Sequence, residues 1–254
     1  MLRFGLLGPV EVFVDGRELR LAHGKQRDLL ALLLLRPNRV RTTDELIQRL
    51  WPASRPDNAV NALHTHVLRL RRQLGNVAGE RIETRAPGYR ILVAPGELDL
   101  DEYRRWHEMC ESDAKSADWS SLLDHAQSAL RLWRGNPFLD VSTEIGDSSD
   151  AALLREERLC TELLRIRALV ELGSFASAAA RARPLLDEHP FHERLAGLYI
   201  SALAQDGRRT EALEAYQRTS STYFEHLGVA PGADLQRLHR TVLDGAVSPA
   251  PALS

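Results

Sequence analysis

The chain has few of the residues on which metal sites, disulfide frameworks and membrane spans depend. Its 254 residues include two cysteines, Cys110 and Cys160, which lie inside helical patterns and lack metal-ligand spacing. We therefore expect reduced, buried thiols in a cytoplasmic protein, with no metal and no cofactor. The longest apolar run, residues 29–35, is too short to span a bilayer. The N-terminus alternates and breaks at glycine and proline, which is not the pattern of a signal peptide.

Lysine is also scarce, so arginine supplies nearly all the positive charge. The net charge of −2 conceals an asymmetry along the chain. Residues 1–95 carry 16 Lys+Arg against 9 Asp+Glu, or +7, whereas residues 96–254 carry 17 against 26, or −9. This division suggests that only the N-terminal part approaches phosphates. Arginine suits bidentate contacts, although a GC-rich genome would produce the same preference.

The sequence contains no recognisable catalytic constellation. No G-x-S-x-G, H-E-x-x-H or Cys–His arrangement is present. Gly24-Lys25-Gln26 lacks the upstream glycine and the Ser/Thr of a phosphate-binding loop. His64 and His66 would lie about 200° apart on a helix, so they cannot share a metal ion. We therefore predict that the protein is not an enzyme.

The first part of the chain predicts short strands followed by a helix. Residues 2–21 alternate apolar and polar side chains and turn at Asp15-Gly16, as a β-hairpin does. Apolar residues at helical spacing then predict a helix over residues 25–35. This helix should end before Pro37.

Two further helices are expected on either side of a short loop. Thr42 and Glu45 form a capping box that begins the first of them, and Pro52 ends it. The second helix covers residues 58–74 and should end at Gly75. Two helices joined in this way predict a helix-turn-helix, whose second helix lies in the major groove.

The long second helix has two distinct faces. Five apolar side chains recur at steps of three and four and predict a buried stripe: Val60, Leu63, Val67, Leu70 and Leu74. The opposite face presents side chains that hydrogen-bond to bases and phosphates: Asn58, Asn61, Thr65, Arg69 and Arg72. An ordinary solvated helix face would carry the same charges, so the neighbouring elements are needed to distinguish the two.

A predicted β-hairpin follows the long helix. Its two short strands lie on either side of Ala86-Pro87-Gly88, and Arg85 and Arg90 flank the tip. Such a hairpin would act as a wing that reaches the adjacent DNA backbone or minor groove. The helix-turn-helix, the polar face and the wing occur in the right order for a DNA-binding domain.

From residue 98 onward every strong pattern is helical. Helices are expected near residues 100–116, 119–133, 149–172, 175–188, 191–205, 209–227 and 232–243. Gly173 and Gly207 are 34 residues apart, and Ala178 and Ala212 keep the same offset. This period is typical of tetratricopeptide-like hairpins, with an irregular antiparallel helix array as the alternative.

Seven segments together give the chain a family resemblance. They are LLGPVEV, GKQRDLLALLLL, DELIQRLWP, NAVNALHTHVLRLRRQLG, ETRAPGYRI, LDLDEYRRW and LWRGNPFLD. The chain resembles the Streptomyces antibiotic regulatory protein family of transcriptional activators, in its short class without an ATPase module. The resemblance implies an α+β, OmpR-like winged helix over residues 1–95 and an all-α, tetratricopeptide-like bacterial transcriptional activation domain over residues 96–246. The fold would be mainly α overall, and residues 247–254 would form a flexible tail.

The resemblance also assigns roles to residues of the winged helix. Major-groove contacts are expected from Asn61, Thr65, Arg69 and Arg72. Backbone or flanking contacts are expected from Arg41, Thr42, Thr43, His64, His66 and Arg71. The wing would contribute Arg85, Tyr89 and Arg90. Tyr89 and Trp51 are open to a second interpretation as core side chains, and His64, His66 and Arg71 as packing residues.

The partners implied by the resemblance are promoter DNA and RNA polymerase. Family members bind direct repeats as dimers and place the polymerase holoenzyme, through its sigma and other subunits, beside them. The polymerase contact is expected in the loop that contains Trp51, Pro52, Ser54 and Arg55. The genes controlled would belong to an antibiotic or other secondary-metabolite cluster. A helical interaction scaffold whose winged helix does not read DNA is the alternative.

Overall fold

The computed structural model describes residues 1–245, so the predicted tail lies outside the described residues. The described chain is mainly helical, with small β-sheets near the N-terminus, which confirms the predicted fold class. It divides into two compact units. The first comprises Met1–His107 with Ser128–Leu159, and the second comprises Glu108–Gln127 with the chain from Cys160. The predicted boundary at residue 95 follows the change from strands to helices, whereas the contacts group residues 128–159 with the N-terminal part.

The N-terminal sheet is an antiparallel meander of β1 (Leu2–Gly5), β2 (Glu11–Val14) and β3 (Arg17–Glu18). Val14 pairs with Arg17 across the turn between β2 and β3, which has positive φ angles at Asp15 and Gly16, 50° and 78°. The predicted hairpin is therefore confirmed. Its second strand is only two residues long, shorter than the alternation in the sequence indicated.

Three helices follow: α1 (Lys25–Leu34), α2 (Thr43–Leu50) and α3 (Ala59–Gly79). Residues 28–34 of α1 are all buried, so this helix forms the centre of the first unit. Thr42 begins α2 as predicted, because its Oγ1 accepts a hydrogen bond from the Glu45 backbone N–H at 3.1 Å. The Glu45 carboxylate pairs with Arg41 at 2.8 Å, and only one bond of the predicted capping box is present among the described contacts.

A second sheet contains β4 (Arg41–Thr42), β5 (Ile82–Arg85) and β6 (Gly88–Ile91), in the order β4-β6-β5. The wing hairpin is thus confirmed, and β4 ties it to the start of α2. This pairing requires glycine at position 88, since a Cβ atom there would lie 1.9 Å from the Arg41 carbonyl oxygen.

Eight helices occupy the rest of the described chain. They are α4 (Asp99–Ser116), α5 (Trp119–Arg131), α6 (Thr143–Gly146), α7 (Ser149–Glu171), α8 (Phe175–Glu188), α9 (Glu193–Gln205), α10 (Arg209–Leu227) and α11 (Ala233–Leu243). All seven predicted helices are present. The short α6 lies in the stretch where no helix was predicted, because one turn carries no periodic signal.

The predicted 34-residue period is present in the second unit as two equivalent helix ends. The Ser174 N–H donates to the Leu169 carbonyl at 2.8 Å, and the Arg208 N–H donates to the Leu203 carbonyl at 2.9 Å. The glycines that precede Ser174 and Arg208 both have positive φ, 73° and 77°. The two alanines that share the offset, five residues after each glycine, are fully buried. The same helix-ending geometry therefore recurs at each step, as in tetratricopeptide-like hairpins.

In the first unit, polar contacts hold residues 128–159 against α1 and the N-terminal sheet. Asp140 accepts a hydrogen bond from the Val10 N–H at 2.8 Å and forms an ion pair with Arg27. Asp28, which is fully buried, accepts a hydrogen bond from the Ser142 N–H at 2.9 Å. A buried carboxylate without such donors would be costly, so these bonds fix where the segment lies.

Both cysteines belong to the second unit, and neither forms a disulfide within the described part of the chain. Cys110 is buried as predicted, and burial raises its pKa to about 12. Cys160 is partly exposed, so the prediction that both thiols are buried was wrong for this one. Within residues 1–245, none of the helices has the length and apolar character needed to cross a bilayer.

Candidate nucleic-acid interface

The buried side of α3 packs on the core of the first unit. Leu63, Val67, Leu70 and Leu74 are at most 1% exposed. Val60 is 40% exposed, so its assignment to the buried stripe was wrong. It lies at the edge of the stripe in the first turn, and Ala59 is the buried residue there. Asn58 caps the helix, with its side chain accepting the Asn61 N–H at 3.4 Å. The four buried side chains of the stripe thus fix the orientation of α3, and the opposite face of the helix is left exposed to solvent.

The helix changes direction at the predicted position. Gly75 has φ 67° and ψ −174°, which are not helical angles, and one further turn follows to Gly79. The predicted end at Gly75 therefore marks the end of the straight part of α3. A left-handed φ of this kind is readily adopted only by glycine.

The outward face of α3 presents the predicted polar residues to solvent. Asn61, Thr65, Arg69 and Arg72 are all exposed. Neither Arg69 nor Arg72 has a hydrogen-bond or ion-pair partner among residues 1–245. Two unpaired guanidinium groups on one helix face can each donate two parallel hydrogen bonds to a base edge or a phosphate.

The flanking histidines differ in their surroundings. His64 is exposed, with its ring 6.3 Å from the ring of Tyr89. His66 packs inward: its Nδ1 lies 3.2 Å from Gln26 Nε2, and its ring is 5.7 Å from Trp51. Burial, with Arg69 and Lys25 nearby, lowers the pKa of His66 below its usual value. Of the two interpretations of His66, packing against neighbouring elements fits this geometry.

Arg71 joins α3 to the wing. Its Nε and Nη2 donate to the Ile82 carbonyl at 3.0 and 2.7 Å, and Nη2 also donates to Thr84 Oγ1 at 3.0 Å. These bonds engage most of the guanidinium group. Arg71 therefore positions the wing relative to the helix, which favours its interpretation as a packing residue.

The wing presents two arginines that share one carboxylate. Glu83 lies opposite Arg90 in the β5–β6 register and accepts from Arg90 Nε at 2.7 Å and from Arg85 Nε at 3.2 Å. These hydrogen bonds, from Arg90 first, lower the pKa of Glu83. Arg85 is 58% exposed and Arg90 29% exposed. Tyr89 is only 5% exposed, so the structure corrects its assignment as a wing contact and places it in the core.

The residues around the start of α2 are not arranged for the expected contacts with the DNA backbone. The Thr43 N–H and Oγ1 both donate to the Pro87 carbonyl, at 3.0 and 3.1 Å, and Thr42 Oγ1 is used as the helix cap. Arg41 is 1% exposed, and burial lowers its pKa. With Asp44 also in the first turn, an anion would find both Thr43 donors occupied, the Arg41 guanidinium buried and a negative charge nearby. The prediction of backbone contacts from Arg41, Thr42 and Thr43 is therefore not supported.

The loop between α2 and α3 contains the predicted polymerase-contact residues. Pro52, Ser54 and Arg55 are exposed, and Arg55 has no hydrogen-bond or ion-pair partner within the described part of the chain. Trp51 is partly buried and packs against the core of the first unit. Of the two interpretations of Trp51, the core one fits the structure.

Comparison with known proteins identifies the family. The family described as "Bacterial transcriptional activator domain" matches residues 98–243, and the family described as "Transcriptional regulatory protein, C terminal" matches residues 16–91. The regulatory protein AfsR of Streptomyces coelicolor is 36% identical over 247 residues, which are 95% of this chain and 24% of AfsR. The transcriptional regulator RedD of the same species is 30% identical over 95% of this chain and 70% of RedD. The chain belongs to the Streptomyces antibiotic regulatory protein family.

A solved structure supports the same fold for this family member. The structure described as Mycobacterium tuberculosis EmbR in complex with a low affinity phosphopeptide matches with a TM-score of 0.86 and 29% identity, over 96% of this chain and 65% of that chain. In sequence, EmbR is 31% identical over 95% of this chain. The chain spans 63% of the length of EmbR and about a quarter of AfsR. EmbR and RedD are named as transcriptional regulators and AfsR as a regulatory protein, which fits a protein that is not an enzyme.

Sequence reasoning missed two features of the candidate interface. The first is Glu83, which pairs with both wing arginines; its signal was available, because Glu83 and Arg85 are two residues apart and share a strand face. The second is Leu68, which is 52% exposed on the outward side of α3. A tally of polar residues overlooks an apolar side chain on a polar face.

Proposed function

We propose that the chain is a sequence-specific DNA-binding activator of transcription that acts at promoters in the bacterial nucleoid. The observation that carries this proposal is the outward face of α3. It places the guanidinium groups of Arg69 and Arg72, exposed and without intramolecular partners in the described chain, on a helix whose opposite side is anchored in the core. Family membership supports the same function.

In the proposed complex α3 lies in the major groove. Asn61 and Thr65, near its N-terminal end, and Arg69 and Arg72, further along, would contact base edges and neighbouring phosphates. Arg85 at the tip of the wing would reach the adjacent backbone. A phosphate there would compete with Glu83 for the Arg85 guanidinium group. On DNA binding, the phosphate would replace the Glu83 carboxylate as the partner of Arg85.

The mode of activation is proposed from the family resemblance. A homodimer would bind direct repeats and place the polymerase holoenzyme against the loop that carries Pro52, Ser54 and Arg55. The exposure of that loop is compatible with such a contact. The genes controlled would belong to an antibiotic or other secondary-metabolite cluster.

A footprint of the purified chain on the DNA around its own gene tests DNA binding and geometry together. We expect two protected half-sites in the same orientation, about one or two helical turns apart. The Arg72→Ala variant should lose this protection, because it loses an unpaired guanidinium group without disturbing the core. If the unmodified chain protects no part of this DNA and selects no sequence from a randomised duplex library, the interaction-scaffold alternative would be favoured.

Transcription from a reconstituted promoter tests the activation loop separately. Arg55→Ala should reduce transcription by polymerase while leaving the affinity for the promoter duplex unchanged. Arg17→Ala, which removes an equally exposed arginine from the N-terminal sheet, is the matched control and should change neither quantity. If Arg55→Ala weakened DNA binding to the same extent as transcription, the loop would not be a distinct polymerase contact.

A further inference from the structure

The centre of the outward face of α3 is apolar. Residues 61, 65, 68 and 72 follow one another at steps of four, three and four, so they lie within about 60° of each other around the helix axis. Leu68 occupies the middle of this stripe and is 52% exposed. Arg69 lies to one side of it. A large aliphatic side chain is thus presented to solvent between Asn61 and Arg72.

The neighbouring Thr65 adds no free hydrogen-bond donor to this centre. Its hydroxyl donates to the Asn61 carbonyl within the helix at 2.8 Å, so its hydrogen is already used. Leu68 and Thr65 together therefore separate an amide group at one end of the stripe from a guanidinium group at the other. The face that would meet DNA carries hydrogen-bond donors at its ends. Between them lie the apolar side chain of Leu68 and a hydroxyl oxygen that can only accept.

The major groove offers one apolar group at base edges that suits such a surface, the C5-methyl group of thymine. We propose that Leu68 is a specificity-determining residue that recognises thymine in each half-site by packing against this methyl group. The inference rests on the proposed function, in which α3 lies in the major groove.

The order of groups along the stripe extends the inference to the half-site. An amide such as that of Asn61 pairs with adenine, and a guanidinium such as that of Arg72 pairs with guanine. Asn61 and Arg72 are eleven positions apart, which is a rise of about 16 Å along the helix axis. The half-site thus places adenine and guanine near its ends with thymine between them.

Replacement of thymine by deoxyuridine tests the inference, because it removes only the methyl group. The full chain is first used to select its half-site from randomised duplexes, and each thymine of either strand is then replaced singly. We expect the affinity of the unmodified chain to fall about fourfold at one or two central thymines, as for one buried methyl group. Leu68→Ala should bind the thymine duplex with the weakened affinity and show no further loss on the uridine duplex.

Two variants control for the loss of an exposed apolar side chain as such. Val77→Ala removes a side chain that is 57% exposed beyond Gly75, outside the stripe, and should keep the full response to uridine. Leu68→Met retains an apolar side chain and should keep most of the loss of affinity on uridine duplexes. Since Leu68 and Val77 are both exposed, neither substitution should disturb folding.

The possible failures are distinguishable. If the unmodified chain binds the selected duplex but responds to uridine at no position, or if the selected half-site lacks thymine, the inference about Leu68 is wrong and DNA binding stands. The inference is also overturned if Leu68→Ala still loses affinity when thymine is replaced by uridine, by the same factor as the unmodified chain does. If the unmodified chain selects no duplex, both the inference and the proposed function fail.

Discussion

The contacts of single side chains on α3 determine which of its polar groups remain available to DNA. His66 is an example, because it lies one position from the exposed Thr65 yet packs against Gln26 and Trp51. Burial and the neighbouring Arg69 lower the pKa of His66, which favours its neutral form beside that arginine. A residue's position on the helix thus determines its chemistry as much as its type does.

The lowered pKa of His66 has a consequence for the pH dependence of stability. The unfolded chain takes up a proton near the ordinary histidine pKa of about 6.5, and the folded chain resists it. This contribution to stability is complete above that pH and falls as the pH decreases towards the folded-state pKa. We expect the melting temperature to fall less between pH 7.5 and 5 in His66→Gln than in the unmodified chain. Identical pH profiles would show that His66 is not linked to folding.

At the scale of elements, α3 and the wing form a single DNA-binding surface because Arg71 holds them together. Its guanidinium group supplies three hydrogen bonds to the Ile82 carbonyl and the Thr84 hydroxyl. The β4–β6 pairing adds a second attachment, between the wing and the start of α2. The spacing between the outward face of α3 and the wing tip is therefore set by side-chain and backbone bonds.

Removal of the Arg71 side chain should loosen this arrangement. Arg71→Ala is expected to lower the free energy of unfolding by about 1–2 kcal/mol, because hydrogen bonds from a charged group in a partly exposed site are lost. Amide hydrogen exchange in β5 should become faster, and DNA affinity should fall even though Arg69 and Arg72 are intact. The same exchange rates in β5 with and without the Arg71 side chain would contradict this role.

The sequence was sufficient to predict elements that bury a periodic stripe of apolar side chains. Leu63, Val67, Leu70 and Leu74 predicted both α3 and its outward face, and the glycine period predicted the helix ends of the second unit. It was insufficient for β4, since two residues carry no period. It also could not show that Arg41 is buried, because that depends on pairing between residues 48 positions apart in the chain. The candidate site was predictable where local periodicity sets exposure and not where a distant partner does.

At the scale of the whole molecule, the first unit depends on contacts between distant parts of the sequence. Asp99, at the start of α4, accepts the Leu6 N–H at 2.8 Å and the Leu7 N–H at 3.1 Å, and it also pairs with Arg134 at 2.9 Å. Burial raises the pKa of Asp99 in spite of these donors. The Asp99 carboxylate is the acceptor for two backbone N–H groups that lie just after β1.

Truncation of Asp99 should therefore be costly. Asp99→Ala leaves the Leu6 and Leu7 amides without their acceptor and is expected to lower the free energy of unfolding by about 2–4 kcal/mol. Denaturant unfolding of the full chain measures this loss. Asp101→Ala, at the next position but one in the first turn of α4, keeps the acceptor and should change stability much less. Equal effects of the two substitutions would show that the Asp99 bonds do not secure the sheet.

The most direct test of the central claim, that the outward face of α3 reads DNA, is the affinity of the full chain for its selected duplex as a function of salt. We predict that the logarithm of affinity falls linearly with the logarithm of salt concentration, with a slope of about −0.9 per phosphate contacted. At fixed salt, Arg72→Ala should bind about 5- to 100-fold more weakly, and Arg17→Ala should bind as the unmodified chain does. An affinity that does not depend on salt, or an Arg72→Ala variant that binds as well as Arg17→Ala, would contradict the account.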